Sequence, residues 1–114
     1  MTRGEVWTVS GGGDYAGKPR PAVIVQDDRF DATGSITLCV FTSDPTDAPI
    51  FRLLIEPSDA NGLKAPSRLM VDKITTVSKT RLGACIGRLA DEDVVRLNRA
   101  LVVFLGITAS VKRA

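Results

Sequence analysis

Apolar and polar positions alternate along this chain in short bursts, each ended by glycine, proline or a polar cluster. Only near the C-terminus does the pattern change to a helical period. Bursts of this kind predict β-strands. Glu5-Val6-Trp7-Thr8-Val9 alternates and predicts the first. Residues 22–26 open with Ala22-Val23-Ile24-Val25, a β-branched run that predicts a buried strand. Residues 35–41 alternate and then become wholly apolar, as a central strand does. Residues 51–56, 68–71 and 84–89 complete the strand set, and Asn61-Gly62 marks a turn in the loop 57–66. From Asp91 the period lengthens. Val94, Leu97, Leu101, Phe104 and Leu105 form one apolar helical face. Trp7 and Phe41 are expected in the core rather than at a cofactor. Asp91 is the expected N-cap, Glu92 and Asp93 favour the positive helix end, and Gly106 is the expected stop. Five to seven short strands followed by one helix predict a mainly β fold: a small, highly curved antiparallel sheet or barrel capped by the C-terminal helix.

Composition narrows the picture. A length of 114 residues fits a single domain, 1–114, and 44% hydrophobic with 25% charged residues is ordinary for a globular protein. No apolar run approaches a membrane span, and Met1-Thr2-Arg3-Gly4-Glu5 carries no apolar signal region, so a cytoplasmic protein is expected. Net charge is +2, so any nucleic-acid site must be a local patch. Cys39 and Cys85 lie in apolar contexts without metal-ligand spacing and are expected to be buried, reduced thiols. The glycine-rich loop 10–17 lacks P-loop spacing, which argues against nucleotide binding.

There is no histidine. Its absence removes the commonest general acid/base, the commonest zinc ligand and every Ser-His or Cys-His dyad. Enzymatic chemistry in this chain would rest on arginine, lysine, carboxylates and hydroxyls. Arg20 then stands out. It lies between Pro19 and Pro21, directly before the second predicted strand. Each proline fixes its own φ and pushes the preceding residue into extended backbone, so Lys18 and Arg20 are both held stiffly. A guanidinium is thereby presented at the mouth of a sheet.

The start Met1-Thr2-Arg3-Gly4-Glu5-Val6-Trp7 is followed by Lys18-Pro19-Arg20-Pro21-Ala22-Val23-Ile24-Val25 and the strand end Phe41-Thr42-Ser43. Val71-Asp72-Lys73 and Ile86-Gly87-Arg88-Leu89 come after them in order. With these blocks the chain resembles the MazF/PemK family of toxin endoribonucleases over nearly its whole length. The resemblance implies an SH3-like barrel with helices (PemK/CcdB-like), a homodimer, and cleavage of single-stranded RNA without metal or cofactor. It implies attack by the RNA's own 2′-hydroxyl, giving a 2′,3′-cyclic phosphate and a 5′-hydroxyl end. It also implies a MazE-like antitoxin partner whose acidic, disordered tail crosses the active groove.

Carried over residue by residue, Arg20 matches the family's catalytic arginine and Thr42 its threonine at the end of the third strand. Ser43 is the neighbouring hydroxyl. Asp72 matches an aspartate proposed in one branch as general base, and a structural hydrogen bond is its other reading. That branch has an arginine two residues earlier, where this chain has Met70. Lys73 and Lys18 are expected to neutralise phosphate, and Tyr15 to stack on an unpaired base in a mobile groove wall formed by residues 10–18. Arg29, Arg52, Lys64 and Arg68 are either a phosphate track or a solvated polar face. Val102 and Val103 are candidates for the homodimer seam. Three competing readings stay open: a non-catalytic CcdB-like toxin, disfavoured by a C-terminal tail without tryptophan; an SH3-like module that binds RNA or protein without turnover; and a degenerate toxin kept as a regulator, which Met70 leaves open.

Overall fold

A computed structural model describes residues 1–11 and 18–107. Its elements in chain order are β1 (Glu5–Val9), β2 (Arg20–Ile24), β3 (Ser35–Thr42), β4 (Arg52–Ile55), β5 (Ser67–Met70), β6 (Thr75–Ser78), β7 (Leu82–Arg88) and α1 (Asp91–Phe104). Every strand pairing is antiparallel. The seven strands follow the path β4-β5-β3-β2-β1-β7, with β6 added against β3, and the path does not close on itself. The long β3 makes this possible. Its first half pairs with β6, from Ser35↔Ser78 to Leu38↔Thr75, and its end pairs with β5 at Phe41↔Leu69 and Thr42↔Arg68.

Side chains alternate between the two faces, so each face builds its own core. Val6, Val23, Cys39, Phe41, Leu53 and Leu69 lie on one face, where Leu97 and Ala100 of α1 cover them. Val9, Ala22, Ile24, Leu38, Val40 and Met70 lie on the other, with Trp7 half-buried against them. Burying a side chain such as Leu97 completely is worth about 1.5–3 kcal/mol, which is what holds the helix on the sheet.

Several expectations shift. β2 begins at Arg20 rather than after it, opposite Val9 of β1. Pro21 is tolerated there because the ladder to β3 starts only at Ala22, so its missing N–H breaks no bond on that side. β6 was not expected, since Thr75, Thr76 and Ser78 are exposed and Val77 alone points inward. The N-cap of α1 is Ala90, not Asp91, because Ala90 keeps extended backbone and its carbonyl accepts from Val94 N–H at 3.0 Å. Asp91 is the first helical residue. Gly106 does end the helix, at φ +70°, with Ile107 N–H donating to the Val102 carbonyl at 2.9 Å and Gly106 N–H to that of Val103 at 3.2 Å. This is the paired hydrogen-bond pattern of a left-handed glycine stop. Phe104 and Leu105 lie at the rim and keep 43% and 48% exposure, Phe104 packing its ring against Phe51 at 6.0 Å, while Ala100 takes the inner position. Cys39 is buried, and burial pushes its thiol up to about 12. Cys85 is exposed on β7, contrary to expectation.

The loop between β4 and β5 is pinned by buried Asn61. Its side-chain carbonyl accepts from Ser58 N–H and Leu63 N–H, and its amide donates to the Glu56 carbonyl at 2.9 Å. Gly62 follows at φ +72°, against β7. A Cβ there would sit 2.1 Å from the Ile86 carbonyl oxygen.

Candidate functional site

Strand register assembles a row of polar side chains on the face opposite α1. In the β2–β3 ladder Ala22 pairs with Val40. Two residues further along each strand, the same register sets Arg20 across from Thr42. Thr42 in turn pairs with Arg68 of β5, and Arg68 pairs with Leu54 of β4. Arg20, Thr42 and Arg68 therefore share one face, on three neighbouring strands. All three are half-buried. The row inward of them, Ala22, Val40 and Met70, is apolar and buried or nearly so. The connections that enter β2, leave β3 and enter β5 meet the sheet at this same end.

Thr42 is held in place by the turn that follows it. Its hydroxyl accepts from Asp44 N–H at 3.1 Å, which leaves the hydroxyl proton for an acceptor above the sheet. The Asp44 carboxylate is occupied with Thr46, accepting from its hydroxyl at 2.8 Å and its N–H at 3.0 Å. Those bonds, with weaker attraction from Arg52 and Arg68, hold the Asp44 carboxyl below its ordinary value.

Asp72 sits on a single 3-10 turn, Val71–Lys73, directly after β5. Its carboxylate is gripped at both oxygens by Arg52: Nε to Oδ1 at 2.7 Å and a terminal guanidinium nitrogen to Oδ2 at 2.9 Å. The two side chains are only 14% and 19% exposed. Arg52 is thus neither a solvated face nor a member of a phosphate track. It pairs with Met70 across β4 and β5, so the arginine absent from position 70 in sequence is present beside it in space. The Arg52 guanidinium holds the Asp72 carboxyl below its ordinary 3.8. A carboxylate so held is ionised at neutral pH but accepts a proton poorly, and the geometry suits a clamp better than a base.

The remaining expected residues divide. Ser43 and Lys73 are exposed beside Thr42 and Asp72 respectively, and Lys18 is exposed two residues before Arg20. Tyr15 lies outside the described residues. Arg29 lies in the β2–β3 connection, at the far end of these strands, over the Phe30 ring and paired with Asp27 at 3.0 Å, so it cannot join the row. Lys64 is exposed in the loop before β5. No cluster of metal-ligating side chains occurs among the described residues.

Residues 2–105 match the model of a protein family described as the PemK-like, MazF-like toxin of type II toxin-antitoxin systems. The chain belongs to this family. It is 55% identical over 107 residues to a probable endoribonuclease MazF of Mycolicibacterium smegmatis, an alignment covering 94% of this chain and 98% of that one. It is 31% identical over 116 residues to the endoribonuclease MazF9 of Mycobacterium tuberculosis, with the same coverage. Among solved structures, a mycobacterial endoribonuclease in complex with its cognate antitoxin superposes with a TM-score of 0.78 at 24% identity, over 96% of this chain and 99% of that one. A MazF of Deinococcus radiodurans superposes at 0.75 with 18% identity, over 94% and 97%. At such identities these structures speak to the fold, which is theirs: an antiparallel seven-stranded sheet with a C-terminal helix.

Arg52 and Arg68 are what sequence reasoning undervalued. Their signal was their placement at alternate, outward positions of β4 and β5, and it becomes meaningful only once the register aligns them with Met70 and Thr42.

Proposed function

We propose that the protein is the toxin of a type II toxin–antitoxin pair and cleaves single-stranded RNA at the Arg20–Thr42 row. The 2′-oxygen of the RNA bonds to the adjacent phosphorus as its hydroxyl proton passes to solvent, and the bond to the 5′-oxygen breaks as that oxygen takes a proton from solvent. The products are a 2′,3′-cyclic phosphate and a 5′-hydroxyl end. Arg20 stabilises the extra negative charge of the phosphorane, to which a guanidinium can donate two hydrogen bonds at once. Thr42 donates its hydroxyl to a phosphate oxygen, and Asp72, clamped by Arg52, orients the floor of the site. Lys18, Ser43 and Lys73 line the path of the RNA, and Tyr15 stacks on a base.

The observation that carries this reading is the register that brings a proline-braced arginine and a hydroxyl onto one face of the sheet, in a chain without histidine. Substrate-assisted attack is the route such a residue set can support, because it needs no enzyme nucleophile. A MazE-like antitoxin would lay an acidic tail along this basic rim. Exposed Val102, Val103, Leu105 and Ile107 would supply a homodimer seam. No helix among the described residues is long and apolar enough to cross a membrane, in keeping with a cytoplasmic site of action. The test is incubation of purified protein with a long single-stranded transcript in EDTA. Wild type cuts it and Arg20→Ala does not; full cleavage by Arg20→Ala would overturn the role given to Arg20.

A further inference from the structure

Strand register sets three arginines beside Thr42 and Met70 on this face, and their engagements differ. Arg52 spends both arms of its fork on Asp72. Arg20 opens β2 on one side of Thr42. Arg68 stands on the other side, directly paired with Thr42. Among the described residues the Arg68 side chain makes no hydrogen bond or ion pair, and its electrostatic partner is Asp44, whose Oδ1 accepts from Thr46. Arg68 is nevertheless half-buried. A guanidinium with no bound acceptor, next to a hydroxyl that has a proton to give, can offer both arms of its fork to an arriving anion.

The spacing favours the same conclusion. Arg20 and Arg68 are two strands apart, about 10 Å between backbones, with the short Thr42 side chain between them. Two long arginine side chains thus start from positions on either side of one short hydroxyl, on the same face of the sheet. A phosphate seated on Thr42 would lie between both guanidiniums.

We propose that Arg68 is a second catalytic guanidinium of this site, contacting the reacting phosphate from the side opposite Arg20. The proposal rests on the nuclease reading and adds a residue to it. Arg52 is a positioning residue in the same scheme: it neutralises Asp72, which would otherwise repel the phosphate.

The test combines cleavage of an RNA oligonucleotide with equilibrium binding of the same oligonucleotide carrying 2′-deoxyribose at the cut site, titrated with salt. Arg68→Ala should lower kcat/KM by about 10²–10³-fold, the usual loss when one transition-state donor is removed. It should also flatten the dependence of log affinity on log salt by about 0.7, one single-strand phosphate contact. Arg68→Lys should regain the slope but not kcat, since lysine restores charge without the fork. Arg68→Gln, of similar length, guards against a folding defect, and it should lose both slope and rate while melting like wild type. Cleavage by Arg68→Ala within about threefold of wild type, with an unchanged slope, would overturn the proposal. A wild type that cuts no RNA would sink the nuclease reading instead, and the salt slopes alone would then decide whether Arg68 binds phosphate.

Discussion

Removing Arg52 should destabilise the fold as well as loosen the site. The Arg52–Asp72 pair consists of two charge-assisted bonds of 2.7 and 2.9 Å, between side chains 14% and 19% exposed. A hydrogen bond to a charged group is worth about 1.5–3 kcal/mol, and breaking a fully buried pair costs about 3–5. Because both groups keep some solvent, Arg52→Ala should cost about 2 kcal/mol, as should Asp72→Ala. With an unfolding entropy of about 2.1 cal/mol/K per residue over 114 residues, that lowers Tm by about 8 °C. Once one partner is gone the other contributes little, so the double variant should lose barely more than either single one. Urea unfolding of the four proteins gives the coupling energy, expected at about 1–2 kcal/mol. Single effects that add to within about 0.3 kcal/mol would refute the clamp.

The same pair fixes a pH dependence. Asp72 has a lowered carboxyl in the folded state, chiefly through Arg52. The unfolded chain therefore takes up the proton first as pH falls. The stability difference between wild type and Asp72→Asn should be constant above the ordinary 3.8 and shrink as pH drops through the lowered value, as melts across acid pH will show. Gly62→Ala combines a left-handed φ of +72° with a Cβ 2.1 Å from the Ile86 carbonyl oxygen, so it should cost at least about 1–3 kcal/mol in chemical denaturation. Thiol labelling should distinguish the cysteines: exposed Cys85 reacts in the native state, and Cys39, buried with its thiol pushed up to about 12, reacts only on unfolding.

Much of this molecule was legible in its residues where local physics decides. The alternation in β1 and β3, the period of α1 and the glycine stop at Gly106 follow from short-range sterics and amphipathicity. The same physics exposed Arg20, because two prolines leave its backbone little choice. What stayed hidden depends on pairing between distant segments. β6 owes its existence to the first half of β3 rather than to its own polar sequence. The Arg52–Asp72 clamp joins residues 20 apart in sequence, and Arg68 acquires meaning only opposite Thr42. Phe104 and Leu105 kept the helical period but reach only the rim of the core, where Phe104 meets Phe51.

The central claim is that the Arg20–Thr42 row promotes attack by the RNA's own 2′-hydroxyl. The most direct measurement is end-group analysis of an RNA cut by wild-type protein in EDTA, alongside the same RNA with a single 2′-deoxyribose at the mapped cut site. The expected result is 2′,3′-cyclic phosphate and 5′-hydroxyl ends on the first and no cleavage at that site on the second. Cleavage of the deoxy-substituted site, or products bearing 5′-phosphate, would contradict it.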